Sequence, residues 1–208
     1  MAANPERIPF GLSCGHTWDE AGAILRFLEV AGITTFIELG VHEGGLASLL
    51  VSRCIFRPGF CYLGVEINPS IPRAELRRAI PLVPYRAADL IFGDCFSADV
   101  QQKIASTIHG STGPVFVYCD NGDKPKELAV YADFPRPGDY IGTHDYADGV
   151  RKLPGYPDWP NGEFPKPEVS PSDLDPLRDR FELAYAPIFE ETRTIVFRCV
   201  VGLVALAA

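Results

Sequence analysis

Two rhythms alternate along the first 145 residues of this chain. Short unbroken apolar runs give way to stretches in which apolar side chains return every three or four positions. The runs predict strands at Thr34–Leu39, Phe60–Ile67, Leu90–Phe92, Pro114–Cys119 and Asp139–Thr143. The intervening stretches predict helices. The first opens at Thr17, where Glu20 three residues on completes a capping box, with Trp18, Ala21, Leu25 and Leu28 as the apolar stripe and Gly32 as the stop. Further helices are predicted over Gly44–Phe56, Ile71–Ile80, Ala98–His109 and Lys124–Phe134. Residues 1–16 show no period and read as an irregular arm.

The rhythm breaks at Tyr146–Pro171, where six prolines, three glycines and four aromatics fall within 26 residues. A loop of that length inside one domain is functional or disordered, and its aromatics favour an ordered lid. A helix over Asp173–Arg180 follows, then strands Phe181–Ile188 and Thr192–Val201 joined at Glu190-Glu191. Five strand–helix units and a closing hairpin predict an α/β fold. It would be a Rossmann-like three-layer sandwich on a mostly parallel seven-stranded sheet, with a C-terminal antiparallel hairpin. At 208 residues the whole chain, 1–208, reads as one domain.

Composition narrows the partners. A net charge of −8 argues against nucleic acid, because phosphate binding needs a basic face. The basic cluster Arg73, Arg77 and Arg78 has helical spacing and reads as a solvated face. The apolar tail from Val200 to Ala208 is too short to span a bilayer, so no membrane partner is expected. The six cysteines include no C-x-x-C pair, and Cys61, Cys119 and Cys199 lie in apolar runs. That usage suits a reducing, cytoplasmic setting. Nothing in it decides for or against a homo-oligomer.

The chemistry begins at the end of the first strand. Glu38, Gly40, Gly44 and Gly45 spell E-x-G-x-x-x-G-G, and the next strand ends in Glu66, 26 residues after Gly40. Glycines let a backbone approach a ligand, and a carboxylate after the second strand can accept both hydroxyls of a ribose. A dinucleotide loop would read G-x-G-x-x-G. The spacing here resembles motif I of the class I S-adenosylmethionine (SAM) methyltransferases, and the order of elements is similar to theirs from about residue 17 onward. The resemblance implies SAM as cofactor. It places Glu38, Gly40, His42 and Gly44 around the methionine part, Glu66 on the ribose, Asp94 and Cys95 at the adenine, and Asp120 near the sulfonium. His16 and Trp18 could close over the cofactor.

All five predicted parallel strands end in polar residues, and in an open α/β sheet those ends share one rim. Asp120, His144 and Asp145 end neighbouring strands. Some related O-methyltransferases hold a divalent metal at these positions, which would here be magnesium or manganese. His144 stands where those enzymes have an acid, which suits manganese, iron or zinc better than magnesium. The alternatives are that His144 is the general base or that it supports Asp145. Lys124 is either a base, like the residue after the acid in those relatives, or an exposed first-turn lysine.

These features predict a SAM-dependent methyltransferase acting on a hydroxyl of a small molecule or glycan. Lys124, His144 and Asp145 are its candidate catalytic residues. Tyr146, Tyr156, Trp159 and Phe164 of the 146–171 loop would stack on the acceptor. The rivals are a nicotinamide-dependent oxidoreductase and a non-catalytic binding module on the same fold.

Overall fold

A computed structural model describes residues 7–8, 12–13, 16–72, 74–83, 87–146, 169–190 and 192–201. A two-stranded antiparallel hairpin, β1 (Arg7–Ile8) and β2 (Leu12–Ser13), replaces part of the irregular arm. There follow α1 (Trp18–Val30), β3 (Thr35–Leu39), α2 (Gly45–Phe56), β4 (Cys61–Glu66), α3 (Ala74–Ala79), β5 (Ala88–Phe92), α4 (Ala98–Gly110), β6 (Val115–Cys119), α5 (Lys124–Tyr131) and β7 (Tyr140–Thr143). The chain closes with β8 (Phe181–Leu183), α6 (Ala186–Phe189) and β9 (Ile195–Cys199).

The main sheet has seven strands in the order β5-β4-β3-β6-β7-β9-β8. The first five run parallel, and β9 inserts antiparallel between β7 and β8. Because sequential strands run outward from β3 on one side and from β6 on the other, the order reverses between β3 and β6. In such sheets that crevice is where ligands bind.

Alternation along the strands feeds two cores. Phe36, Tyr62, Phe116 and Tyr118 point to one face and pack against α1, α2 and α6. Ile37, Leu39, Val117 and Cys119 point to the other and pack against α4 and α5. Phe27 of α1 anchors the first core, edge-on to Phe116 and Tyr140 at 5.1 and 5.2 Å between ring centres.

Several expectations give way to tertiary structure. The capping box at Thr17 forms, but Trp18 is 49% exposed. The buried stripe of α1 is Glu20, Ala21, Ile24, Phe27 and Leu28, which brings an acid into the interior. Pro81 ends α3 early, leaving a 3-10 turn at Ile80–Leu82. Pro176 likewise holds Pro171–Leu177 in a 3-10 helix rather than an α-helix. The strand expected to run to Ile188 stops at Leu183, because Pro187 cannot donate to a ladder and instead opens α6. Cys61, at the start of β4, is exposed, whereas Cys54, Cys95, Cys119 and Cys199 are buried thiols. Among the described residues, no helix is long and apolar enough to cross a membrane.

Candidate functional site

The rim of the sheet at the β3–β6 crevice begins with the glycine loop. Gly40 and Gly44 have φ values of 90° and 94°, the left-handed region that glycine adopts without strain. A side chain at Gly40 would strike the Asp120 carbonyl oxygen at 2.6 Å and Asn121 Cα at 2.8 Å, so only glycine lets β3 and β6 end this close together. Gly44 is the N-cap of α2. The loop is tied to β4 by Glu66, which accepts from the amide of His42 at 2.9 Å and that of Asn68 at 3.0 Å. Carboxylate oxygens have further lone pairs, so Glu66 remains able to accept from a diol. His42 itself has a positive φ of 51° and an exposed side chain.

Glu38 is 2% exposed and accepts the hydroxyl hydrogen of Tyr62. Burial, with Asp120 and Glu66 nearby, pushes its pKa well above the usual carboxylate range. Its placement is therefore beneath the loop, holding the loop's base. Asp94, after β5, is exposed and uses Oδ1 to accept from the Phe96 amide. Cys95 is buried, its carbonyl taken by the Tyr131 hydroxyl, and burial pushes its thiol up to about 11.

On the β6–β7 side the structure gathers charges from four segments. Asp120 follows β6, and its Oδ1 lies 3.7 Å from Lys124 Nζ and 3.4 Å from His144 Nδ1. Its Oδ2 lies 3.4 Å from His16 Nε2. Asp145, strained at φ 57°, faces Lys124 at 3.2 Å, Arg193 at 2.6 Å and His144 Nδ1 at 3.5 Å. Lys124 is 5% exposed, so the reading of it as an exposed first-turn lysine does not hold. Behind this layer, Glu20 accepts from the Thr17 amide at 2.8 Å and from the amide and Nε of Arg193, each at 3.2 Å. Its Oε1 also lies 3.3 Å from His144 Nε2, at ion-pair distance but off the line of a hydrogen bond.

Electrostatics follow from this enclosure. Burial opposes charge on His144, but Asp120, Asp145 and Glu20 around it hold the imidazole pKa well above its ordinary value. Burial would raise Glu20 and Asp145 as well. His144 and Arg193 beside both, with Lys124 beside Asp145, hold them far below the usual carboxylate range. A raised imidazole pKa works against His144 as the general base, because a protonated imidazole has no lone pair with which to accept.

Glu20, Arg193 and Tyr118 are not among the residues the sequence singles out for chemistry, while His16, read as able to close over the cofactor, joins them here. Tyr118 Oη lies 2.9 Å from His16 Nε2 and 3.2 Å from Thr194 Oγ1. The only sequence signal was the capping box at Glu20, which gave a local reason for that acid and hid its second role. The expected lid over 146–171 lies outside the described residues except at its ends. Of its aromatics, Tyr146 is described, and it is 7% exposed within the second core.

No protein-family model and no curated protein matches this sequence. Solved structures do match. The apo structure of CmcI superposes with a TM-score of 0.61 at 20% identity, covering 95% of this chain and 77% of that one. A CmcI structure with Mg and SAM gives 0.61 at 19% identity, covering 92% and 75%. This is the class I methyltransferase fold. The methyltransferase domain of bacterial CtHen1-C shares that fold with this chain at a TM-score of 0.56 and 16% identity, covering 88% and 97%.

Among the described residues, the class I rim here gathers one set able to hold a metal: His16, Asp120 and His144, whose ligand atoms all lie within 4.8 Å of one another. Asp145 is absent from that set and is engaged instead by Arg193 and Lys124. Two imidazoles and a carboxylate fit a borderline dication and suit magnesium poorly.

Proposed function

We propose that this protein is a SAM-dependent methyltransferase that transfers a methyl group to a hydroxyl of a small molecule or glycan. One observation carries the reading. The reversal point of the sheet places a glycine loop clamped by Glu66 beside a buried cluster of Asp120, Lys124, His144 and Asp145. One side is built to receive a nucleoside, the other to manage a proton.

SAM supplies a methyl group on a sulfonium that is already a good leaving group. The chain therefore has to align the acceptor oxygen with that carbon and accept the hydroxyl proton as the C–O bond forms. Gly40 and Gly44 shape the loop, and Glu66 is placed for the ribose hydroxyls. Asp120 stands where both halves meet, its carbonyl packed against Gly40 and its carboxylate against His16, Lys124 and His144. We assign Asp120 as the proton acceptor. Lys124, between Asp120 and Asp145, and His144, within 3.4 and 3.5 Å of the same two carboxylates, orient them. A metal on His16, Asp120 and His144 would acidify the acceptor hydroxyl.

Calorimetric titration with S-adenosylhomocysteine, beside NAD as a control, tests the cofactor class. Micromolar binding of the homocysteine product and none of NAD is the expected result. Binding of NAD alone would support the oxidoreductase. Binding of neither would leave a non-catalytic module. With the cofactor established, Asp120→Asn should abolish turnover on any hydroxylated acceptor.

A further inference from the structure

We propose that His16, Asp120 and His144 form a binding site for one borderline first-row dication of the manganese-to-zinc series, with the N-terminal arm supplying a ligand. The site differs from an Asp120/His144/Asp145 set in both its third ligand and its metal preference. The ligand assignment stands on the geometry alone. The use of the metal, to chelate neighbouring oxygens of the acceptor, rests on the methyltransferase reading.

Four features converge. The first is spacing: His16 Nε2 lies 3.4 Å from Asp120 Oδ2 and His144 Nδ1 lies 3.4 Å from Oδ1, and one ligand atom from each residue lies within 4.8 Å of the others. Ligands about 2.1 Å from a tetrahedral ion sit about 3.4 Å apart, so each histidine–carboxylate pair stands at about that separation. Second, the ligands are held from outside. Glu20 Oε1 lies 3.3 Å from the other nitrogen of His144, near enough for its charge to support a ligating imidazole. Third, Asp145 is taken: Arg193 at 2.6 Å and Lys124 at 3.2 Å leave it as a counter-ion to cations. The fourth is charge. Glu20, Asp120 and Asp145 bring three carboxylates to the rim around the two imidazoles, a lining that favours a bound cation.

The chemistry of the donors sets the ion. Magnesium prefers oxygen and keeps its waters, whereas imidazole suits manganese, iron, cobalt and zinc. His16 stacks on His144 with ring centres 4.3 Å apart, so the arm's last residue already lies on the sheet rim where the metal would bind. Three protein ligands leave positions for two acceptor oxygens, the arrangement a vicinal diol or catechol could fill.

The test uses the full chain, stripped with a chelator and loaded with one ion. Pulsed electron paramagnetic resonance of the Mn(II)-loaded protein counts coordinated imidazoles without any variant. Two nitrogens are expected; one, or none, overturns the assignment. Cobalt(II) titration, followed in the visible, then checks the residues. His16→Ala should weaken cobalt binding by more than the roughly 10- to 100-fold of an outer-sphere partner, while Asp145→Asn stays within about threefold. The reverse ranking would move the metal onto Asp145. Should His16→Ala not fold, His16→Gln serves the same comparison. S-adenosylhomocysteine titration of the same samples separates the two claims. S-adenosylhomocysteine binding with no cobalt site sinks the metal site alone, and a cobalt site without S-adenosylhomocysteine binding sinks the methyltransferase reading alone.

Discussion

On the β3–β4 side of the rim, the acids meet neutral donors. Glu38 accepts from a tyrosine hydroxyl and Glu66 from two backbone amides. On the β6–β7 side, the acids meet cations: Asp120 and Asp145 face Lys124 and His144, and Glu20 faces His144 and Arg193. The difference matters because Glu66, met by backbone amides, keeps acceptor capacity for a ligand, whereas a buried cation cancels the charge of the carboxylate it faces. The first arrangement suits reversible binding of a cofactor. The second keeps several charges in a small volume, ready for a proton or a metal. It follows that the two sides should fail differently when an acid is removed.

The largest effect should come from Glu20→Ala. It leaves His144 and Arg193 without a carboxylate that is itself 2% exposed, and breaking one partner out of a buried ion cluster costs about 3–5 kcal/mol. Urea unfolding measures it. A cost under about 1 kcal/mol would mean that the cluster is solvated and that the contrast between the two sides is lost.

Next is Glu127 of α5, an acid on the charged side with no ion pair among the described residues. Its Oε2 receives the Asn121 amide at 3.3 Å, and among the described residues Oε1 has no hydrogen-bond partner. Burial pushes its pKa from 4.5 to about 7, against a pull downward from that amide and from Lys124. Between those two values the folded protein holds a proton that the unfolded chain has lost. Stability should therefore be fullest below pH 4.5 and fall as the pH rises to about 7, by about 3 kcal/mol. Glu127→Gln should remove that slope, as seen by urea unfolding across the range. A slope unchanged in the variant would assign the proton to another group.

Glu66 and Glu20 show where the sequence could be read and where it could not. The glycine loop and Glu66 are local: a glycine turn, a helix and a strand within 29 residues, Gly40 to Asn68, set their geometry, and the spacing alone points to a nucleoside site. The strand order also follows from the alternation of runs and stripes. The charged cluster is assembled from residues 16, 20, 120, 124, 144, 145 and 193, joined only by folding. Glu20 had a complete local explanation in its capping box, and Arg193 lay in what read as a strand. The 3-10 segment at Pro171–Leu177 and the early stop of β8 were missed because periodicity outweighed Pro176 and Pro187, each of which lacks a ladder donor.

Glu66→Gln tests the neutral side. An amide oxygen can still take one of the two backbone amides, so stability should fall by no more than about 1 kcal/mol. The loss should appear in binding: S-adenosylhomocysteine affinity should weaken by roughly 10- to 100-fold, the worth of hydrogen bonds to a charged acceptor. Calorimetry and unfolding on the same variant separate the two. A destabilisation matching that of Glu20→Ala would show that Glu66 is a structural clamp like its counterpart, and that the two sides do not differ in kind.

The smallest effect isolates what makes the charged side costly to disturb. Lys103 of α4 lies 3.0 Å from Asp89 of β5, closer than the 3.3 Å between Glu20 and His144. Both partners are about half exposed, at 51% and 56%, so water already solvates each charge and salt screens the pair. Lys103→Ala should therefore change stability by less than about 0.5 kcal/mol, and by nothing measurable in about 1 M salt. If this shorter pair proved worth as much as the Glu20 cluster, distance would govern. The expected disparity makes burial the deciding quantity, because only an ion that has left water depends fully on the partner the fold provides.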